Sequence, residues 1–223
     1  MYLVLGSALD DAPVRLVGRW QGVGRDVAWA TPADLSQPGW RLRIGRASEA
    51  HAVVGHRRVS VADIDGIVSV LPWISQAELP HVVEEDRDYV AHEMSAFLLA
   101  WLHQVPCRVI DPPSTLSLAG CGRSPHQWAA LARDIGVAAD PTWSGAFDNV
   151  TLVGGRVVGA VTPRLGAAAE SVAAAAGRTL VTLRFAKDHV SGCGEPILTG
   201  AHVRAEVGTD DVADALLAWL EAA

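Results

Sequence analysis

The chain has 223 residues, of which 50% are hydrophobic and 19% charged, and its formal net charge is −7. This composition predicts a folded core and excludes intrinsic disorder. Because no basic stripe and no run of about 18 apolar residues is found, we expect neither a nucleic-acid partner nor a membrane span.

The first half of the chain alternates short apolar runs with helical patterns. The longest helical pattern, residues 84–104, begins with acidic side chains that suit the helix dipole, and its apolar face predicts Phe97, Leu98 and Trp101 as core residues. The predicted strands are residues 2–5, 27–30, 41–44, 67–71 and 107–110. This alternation predicts an α/β domain with a mostly parallel sheet.

The second half begins with a helix start signal. Ser124, Pro125 and Gln127 form a capping-box pattern, and the helix is expected to end at Gly136. Residues 151–161 hold two β-runs around a Gly-Gly pair, which predicts a hairpin. A helix at 164–176, strands at 180–185 and 196–199 and a last helix at 210–221 follow. We place the boundary between two lobes, residues 1–141 and 142–223, after Pro141.

This order of elements resembles the ATP-grasp superfamily, especially its peptide glutamate-ligase type. The resemblance implies a preceding α/β domain in residues 1–110, which in that family often helps to bind the acceptor substrate. It also implies that residues 151–161 are the hairpin after a nucleotide-contacting strand. Strands 180–185 and 196–199 would be those that carry the metal-binding carboxylates in the family.

The chain departs from that family where the nucleotide would be held. Between Pro141 and Thr151 there is room for only one loop, and Lys187 is the only lysine, whereas the family uses two. The residues at the positions of the metal ligands are Thr182, Arg184, Thr199 and His202. Since Mg²⁺ prefers hard oxygen ligands, we expect a truncated, reduced ATP-grasp-like α+β lobe that lacks the nucleotide-gripping subdomain and binds no cofactor.

A ligand site is predicted beside Trp73, which follows a strand at its carboxyl end, where open α/β sheets bind ligands. Asp86 lies close by in sequence, and Arg87 is expected to hold a carboxylate through its guanidinium fork. Glu93 flanks the apolar helix face, which predicts a partly buried carboxylate. The alternative is that Trp73 packs against the long helix and the acidic residues only suit its amino terminus.

His189, Cys193 and His202 form a second candidate set, because their side chains are ligands for Zn²⁺ or copper. The alternative is an exposed loop that happens to contain these residues. Structural zinc sites show tighter paired spacing, so we expect no metal. The cysteines, Cys107, Cys121 and Cys193, form no C-x-x-C motif, which favours a reduced cytoplasmic setting.

Eight tryptophans are a high count for this length, and they suit a protein interface as well as ordinary packing between lobes. Oligomerisation therefore stays open. The function expected from all these features is that of a degenerate, non-catalytic accessory protein that binds a peptide or a partner enzyme in a modification or biosynthetic pathway. The alternative is an enzyme with a retained acceptor pocket, either an ATP-dependent carboxylate–amine ligase or one of diverged chemistry.

Overall fold

The computed structural model describes residues 1–46, 49–120, 122–187 and 194–222. It divides into two compact units. Unit 1 comprises Met1–Cys121 and Val207–Ala213, and unit 2 comprises Gly122–Glu206 and Asp214–Ala223. No helix in these described ranges is long and apolar enough to cross a bilayer. The α/β fold class predicted from the sequence is confirmed, with a four-stranded parallel sheet, a four-stranded antiparallel sheet and a two-stranded antiparallel hairpin among the described residues.

Unit 1 is built on a parallel sheet in the order β2-β1-β5-β6. Its strands are β1 (Tyr2–Leu5), β2 (Val27–Ala30), β5 (Gly66–Ser69) and β6 (Arg108–Ile110). The α-helices of this unit are α1 (Asp11–Gly22), the short α2 (Pro32–Leu35) and α3 (Arg87–Gln104). β1, β2 and most of β5 are apolar because a parallel sheet is covered on both faces, whereas the edge strand β6 begins with the exposed Arg108. β5 accordingly is buried at every residue.

Residues 41–44 do not form the predicted strand. Arg41 makes only one isolated bridge, to His51, and the strands lie just after it as an antiparallel hairpin, β3 (His51–Val54) and β4 (Arg57–Ser60). Gly55 and His56 form its two-residue turn, and both have positive φ, 53° and 65°, as such turns require. The sequence pattern missed this hairpin because His56 is not a residue type that marks the turn.

The core of unit 1 lies between the four-stranded parallel sheet and the long helix α3. Leu98 and Trp101 are fully buried, and Phe97 packs against the same cluster while partly buried. The α3 helix begins at Arg87, because the preceding residues, Glu84–Asp86, form a short 3-10 turn.

Unit 2 is built on an antiparallel sheet in the order β10-β9-β7-β8. Its strands are β7 (Phe147–Val153), β8 (Arg156–Val158), β9 (Leu180–Ala186) and β10 (Leu198–Ala201). The helices are α4 (Pro125–Asp134) and α5 (Pro163–Ala176), and the last helix, α6 (Asp210–Glu221), starts in the part of the chain assigned to unit 1 and ends in unit 2.

Two local sequence signals of unit 2 are confirmed. β7 and β8 pair antiparallel around Gly154 and Gly155, whose φ angles are 59° and 78°. A Cβ on Gly154 would collide with the Trp219 ring, so this position has a second reason to be glycine. The capping box of Ser124 and Gln127 begins α4 as predicted.

The two units divide earlier than the sequence predicted. The predicted boundary followed Pro141 and left the α4 helix in the first lobe, whereas the contacts divide the chain between Cys121 and Gly122. Trp128 and Ala132 of α4 belong to the core of unit 2, where Phe185 is fully buried. Apolar contact rather than sequence order therefore decides to which unit the helix belongs.

Candidate functional site

The first wall of the candidate site is the turn that follows β5 in unit 1. Val70 extends the sheet by donating its backbone N–H to Leu5 O at 2.9 Å, and the chain then leaves the sheet at Pro72. Trp73 comes next and is 54% exposed, although the neighbouring Leu71 and Ile74 are buried. An indole exposed at the carboxyl end of a parallel strand lies where open α/β sheets bind ligands.

The second wall is one stripe of α3. Asp88, His92, Ser95 and Leu99 recur every three or four residues and line the same cavity. The Ser95 hydroxyl donates to Ala91 O at 2.8 Å and accepts the Ile74 N–H at 3.3 Å, so it links the helix to the Trp73 turn.

Two further hydrogen bonds set the polar groups of this wall. Gln76 Nε2 donates to Asp88 Oδ1 at 2.9 Å. His92 Nδ1 lies 2.7 Å from Asp88 O, and because a carbonyl oxygen only accepts, Nδ1 carries the proton. In the neutral ring, Nε2 of His92 is therefore left as an acceptor.

The third wall is the loop after β6. Ser114 and Ser117 exchange backbone hydrogen bonds of 2.8 and 3.2 Å, and the Ser114 hydroxyl donates to Gly120 O at 2.8 Å. Leu118 N donates to Pro72 O at 2.8 Å and joins this loop to the Trp73 turn. Leu116 at the loop tip is 68% exposed. The loop is thus held by its own hydrogen bonds rather than by packing at its tip.

Together the three walls enclose a groove of about 610 Å³, which we call the unit 1 groove. Its lining combines exposed apolar groups, Trp73 and Leu116, with the polar groups of Asp88, His92 and Ser95. Pockets of about 300–1,000 Å³ with apolar walls and a few fixed polar groups are typical of small-ligand sites. Chemically, the groove can hold an apolar side chain and satisfy several hydrogen bonds.

Of the four residues predicted to bind a ligand, the structure places Trp73 in the lining of the groove and the other three outside it. Asp86 is exposed at the start of α3. Arg87 donates its Nε–H to Val82 O at 3.0 Å and an Nη2 hydrogen to Pro80 O at 3.4 Å. These bonds direct its guanidinium to the loop before the helix and away from a ligand carboxylate. Glu93 is exposed, so its predicted partial burial is wrong.

The residues that the sequence missed lie on the same helix and on a distant loop. Asp88 and His92 are spaced i, i+4, and the helical period from Ala91 through Ser95 to Leu99 is a signal that could have found their stripe. No local signal marks residues 114–118, because they reach the groove only through the pairing of β6 beside β5.

A second polar cluster lies on one face of the sheet in unit 2. Asn149 Nδ2 donates to Glu206 Oε1 at 2.7 Å, and Asn149 Oδ1 lies 3.1 Å from His202 Nε2. The two buried hydroxyls of Thr151 and Thr182 are 2.8 Å apart, and Thr182 Oγ1 accepts the Glu206 N–H at 2.9 Å. Arg184 pairs with Asn149 across the strands and lies on the same face, and we call this set, including Arg184, the unit 2 polar face.

His202 is shifted toward its neutral form on this face. Burial lowers the pKa of the His202 imidazole, the Glu206 carboxylate opposes that shift, and the Arg184 guanidinium adds to it. The Arg184 guanidinium lies over the Phe147 ring at 4.9 Å, and its Nε atom is buried. The guanidinium makes no hydrogen bond or ion pair to the residues that the structure describes. A guanidinium without an anionic partner can hold a carboxylate or phosphate.

The unit 2 polar face does not fit the Mg²⁺–nucleotide centre that the sequence resemblance implies. Its one carboxylate, Glu206, is bonded to Asn149, and an arginine cation lies among the other side chains. Across the described ranges, no three His, Cys, Asp or Glu side chains come together in a way that would hold a metal ion. Of the candidate metal set, His189 and Cys193 lie outside those ranges, and His202 is bonded to Asn149.

Comparisons with known proteins give similarity in structure only. No protein-family model matches the chain, and no curated protein sequence matches it significantly. The macrocyclase MdnC bound with precursor peptide MdnA, from Microcystis aeruginosa MRC, superposes with a TM-score of 0.74 at 9% identity, over 100% of this chain and 99% of that one.

Two further solved structures superpose over nearly the whole length of both chains. The ATP-grasp ligase PsnB complexed with minimal precursor, Mg and ADP gives a TM-score of 0.70 at 13% identity, over 99% of this chain and 98% of that one. A RiPP-associated ATP-grasp ligase from Chryseobacterium gregarium, in complex with ADP and a leader and core peptide, gives 0.68 at 8% identity, over 100% and 97%. The chain under study therefore has the fold of the ATP-grasp ligases.

Proposed function

We propose that this chain is a non-catalytic accessory protein that binds a peptide, or a peptide segment of a partner enzyme, in the unit 1 groove. It would act in a peptide-modification or biosynthetic pathway. The observation that carries the proposal is the groove itself, in which Trp73 and Leu116 are exposed above polar groups already fixed by hydrogen bonds.

The chemistry of the lining favours binding over catalysis. The ionisable groups in it are Asp88 and His92, and Asp88 Oδ1 already accepts from Gln76. The hydroxyl of Ser95 is bonded to a carbonyl of its own helix, not to a base. No nucleophile in this lining is paired with a general base, as covalent catalysis requires.

Two observations from unit 2 support the absence of phosphoryl chemistry. Arg184 lies on β9 and His202 directly follows β10, the two strands where the resemblance implied metal-binding carboxylates. Lys187 is the only lysine of the chain. Of the three solved structures named above, two are complexes with ADP and a precursor or a leader and core peptide, and the third is bound with a precursor peptide. We infer that this chain has kept the peptide partner and lost the nucleotide.

The test is a selection from a random peptide library on the immobilised protein, followed by calorimetric titration of the enriched peptides. We expect Trp73→Ala to weaken their binding at least about tenfold, or about 1.4 kcal/mol. Tyr89→Ala is the matched control, because Tyr89 is an aromatic residue of α3 that is 68% exposed and does not line the groove. Equal losses in the two variants, with matched melting curves, would contradict binding in the groove.

The second candidate function is an enzyme that has retained its acceptor pocket, and Arg184 is the observation that favours it. Its guanidinium has no anionic partner among the described residues, so a substrate carboxylate would complete it. A calorimetric titration with Mg-ATP separates the two functions. The accessory protein should give no heat, whereas a ligase should bind the nucleotide and hydrolyse it at a rate that Arg184→Ala lowers.

A further inference from the structure

One face of the β3–β4 hairpin in unit 1 concentrates positive charge. Residues that pair across neighbouring strands share a face of the sheet, and the register places Arg41 opposite His51, and Arg58 opposite Val53. His51 and Val53 are two residues apart on β3, so Arg41, His51 and Arg58 lie on one face. On the opposite face, Ala52 and Val54 belong to the core of unit 1, and the exposed Arg57 lies beside the turn as the partner of Val54.

The charge here differs in sign from that of the rest of the chain. Residues 41–58 contain five arginines and one glutamate, a formal charge of +4 in a chain whose net charge is −7. The other residues together therefore carry −11. This basic segment, which includes most of the hairpin, is a local exception in an acidic protein, so it attracts a partner of opposite charge.

Among the residues that the structure describes, three of the five arginines have no acidic partner. Glu49 pairs with Arg43 at 2.7 Å and with Arg46 at 3.2 Å. The remaining three are exposed and make no side-chain hydrogen bond or ion pair within the described part of the chain; they are Arg41, Arg57 and Arg58. Their guanidinium groups are available for carboxylates of another molecule.

The backbone beside these arginines is also available. β3 and β4 form a two-stranded sheet, and among the described strands none pairs with the outer side of β4. His51 exchanges both of its backbone hydrogen bonds with Arg41, at 3.0 and 3.1 Å. The backbone N–H and C=O groups of His51 therefore point away from β4, as those of every second residue do in an antiparallel pair. By the same alternation, the N–H and C=O of Arg58 point outward from the hairpin.

We propose that an extended acidic peptide segment of a partner protein adds as a strand to the outer edge of β4. Its carboxylates pair with Arg58 on one face and with Arg57 on the other, since the register pairs Arg58 with Val53 and Arg57 with Val54. Strand addition supplies backbone hydrogen bonds, and the side chains beside the edge supply specificity. The N–H and C=O groups at the outer edge of β4 can form hydrogen bonds with the backbone of a peptide. A nucleic acid has no such groups, and the −11 charge of the remaining residues repels a long polyanion.

This surface is separate from the unit 1 groove, because no residue of the hairpin lines the groove. The inference therefore goes beyond the proposed function, and it can fail while the groove still binds. Ile44, 86% exposed and next to Arg43 in sequence, offers the partner an apolar contact beside the charges.

Fluorescence anisotropy tests the charge pairing with a labelled peptide in which pairs of glutamates alternate with pairs of threonines. In a strand, this peptide presents carboxylates on both faces. We expect binding that weakens with added salt, and a loss of at least about tenfold in the Arg57→Glu/Arg58→Glu variant, since each attraction becomes a repulsion. Arg156→Glu is the matched control, because Arg156 is an exposed arginine next to the turn of the hairpin in unit 2. Equal affinity of the double variant and the native chain would overturn the proposal.

Two further probes test the strand addition. The same peptide with N-methyl groups on alternate residues, made in both registers, removes the edge hydrogen bonds while leaving every carboxylate in place. One register should lose binding, and unchanged binding in both would overturn strand addition. A single-stranded oligothymidine of equal charge should bind more weakly than the peptide. If it binds equally well, the surface recognises polyanions in general and the proposal is wrong.

Discussion

The unit 1 groove and the unit 2 polar face use similar side chains but satisfy them differently. In the groove, the polar groups bond mainly to backbone atoms, as Ser95 does to Ala91 O, and these bonds fix the walls of a cavity. On the unit 2 polar face, Asn149, His202 and Glu206 bond mainly to one another. Side chains that hydrogen-bond to one another have few donors and acceptors left for a ligand. Side chains that are fixed by bonds to the backbone leave the cavity between them open to a ligand.

The difference extends to the residues that remain unpaired. In the groove these are an indole and a leucine, Trp73 and Leu116, which gain by contact with an apolar ligand. On the unit 2 polar face it is a cation, Arg184, which gains by contact with an anion. The two regions therefore favour different ligand chemistry. The following substitutions test how much the residues in and beneath each region contribute to stability.

The largest effect is expected in the core beneath the unit 2 polar face. Phe185→Ala should destabilise the protein by about 3–5 kcal/mol, because the side chain is fully buried on the opposite face of β9. Chemical denaturation measures it. Phe147→Ala, on the neighbouring strand and 39% exposed, is the control and should cost about 1 kcal/mol or less. Similar losses in the two variants would mean that the face assignment of this sheet is wrong.

A truncation in the core beneath the unit 1 groove should lower the free energy of unfolding slightly less. Leu98→Ala should cost about 2–5 kcal/mol, since Leu98 is fully buried in unit 1. Leu116→Ala, at the exposed loop tip, should change stability by less than about 0.5 kcal/mol and serves as the control. An unchanged melting temperature for Leu98→Ala would show that this helix face is exposed.

A smaller effect is expected from the buried hydroxyl pair. Thr182→Val keeps the shape of the side chain but leaves the Thr151 hydroxyl and the Glu206 N–H without their partner, which should cost about 1–3 kcal/mol. Thr115→Val changes an exposed threonine in the groove lining, and we expect almost no loss of stability there. If Thr182→Val leaves the free energy of unfolding unchanged, the hydrogen bonds among the side chains of the unit 2 polar face do not stabilise the protein.

The smallest effect is a pH dependence from His202. Because burial lowers the pKa of His202 in the folded state, the unfolded chain takes up the proton first as pH falls below about 6.5. The contribution of His202 to stability is thus complete above that pH and is lost as pH falls through the folded pKa. An NMR titration of the His202 ring should give a midpoint below about 6.5, and His202→Gln should flatten the stability profile there. A midpoint above that value would mean that the Glu206 carboxylate, which raises the pKa of His202, outweighs the effect of burial.

The sequence by itself determined the elements whose signals are local. The hairpin at Gly154 and Gly155 follows from the need for positive φ in a tight turn, and the start of α4 follows from the Ser124 capping box. The apolar strands and the face of α3 follow from periodicity, because burial selects apolar residues at the spacing of the element. The ATP-grasp fold was therefore accessible from the order of these elements.

Only the tertiary structure decided which distant residues meet. The groove joins Trp73, the stripe of α3 and residues 114–118, and their meeting depends on β6 lying beside β5. Arg87 differs from its predicted role because its fork reaches two carbonyls that no local pattern reveals. The sequence fixes local conformation through propensity and period, whereas a site is a set of long-range contacts, which depend on how the sheets and helices pack.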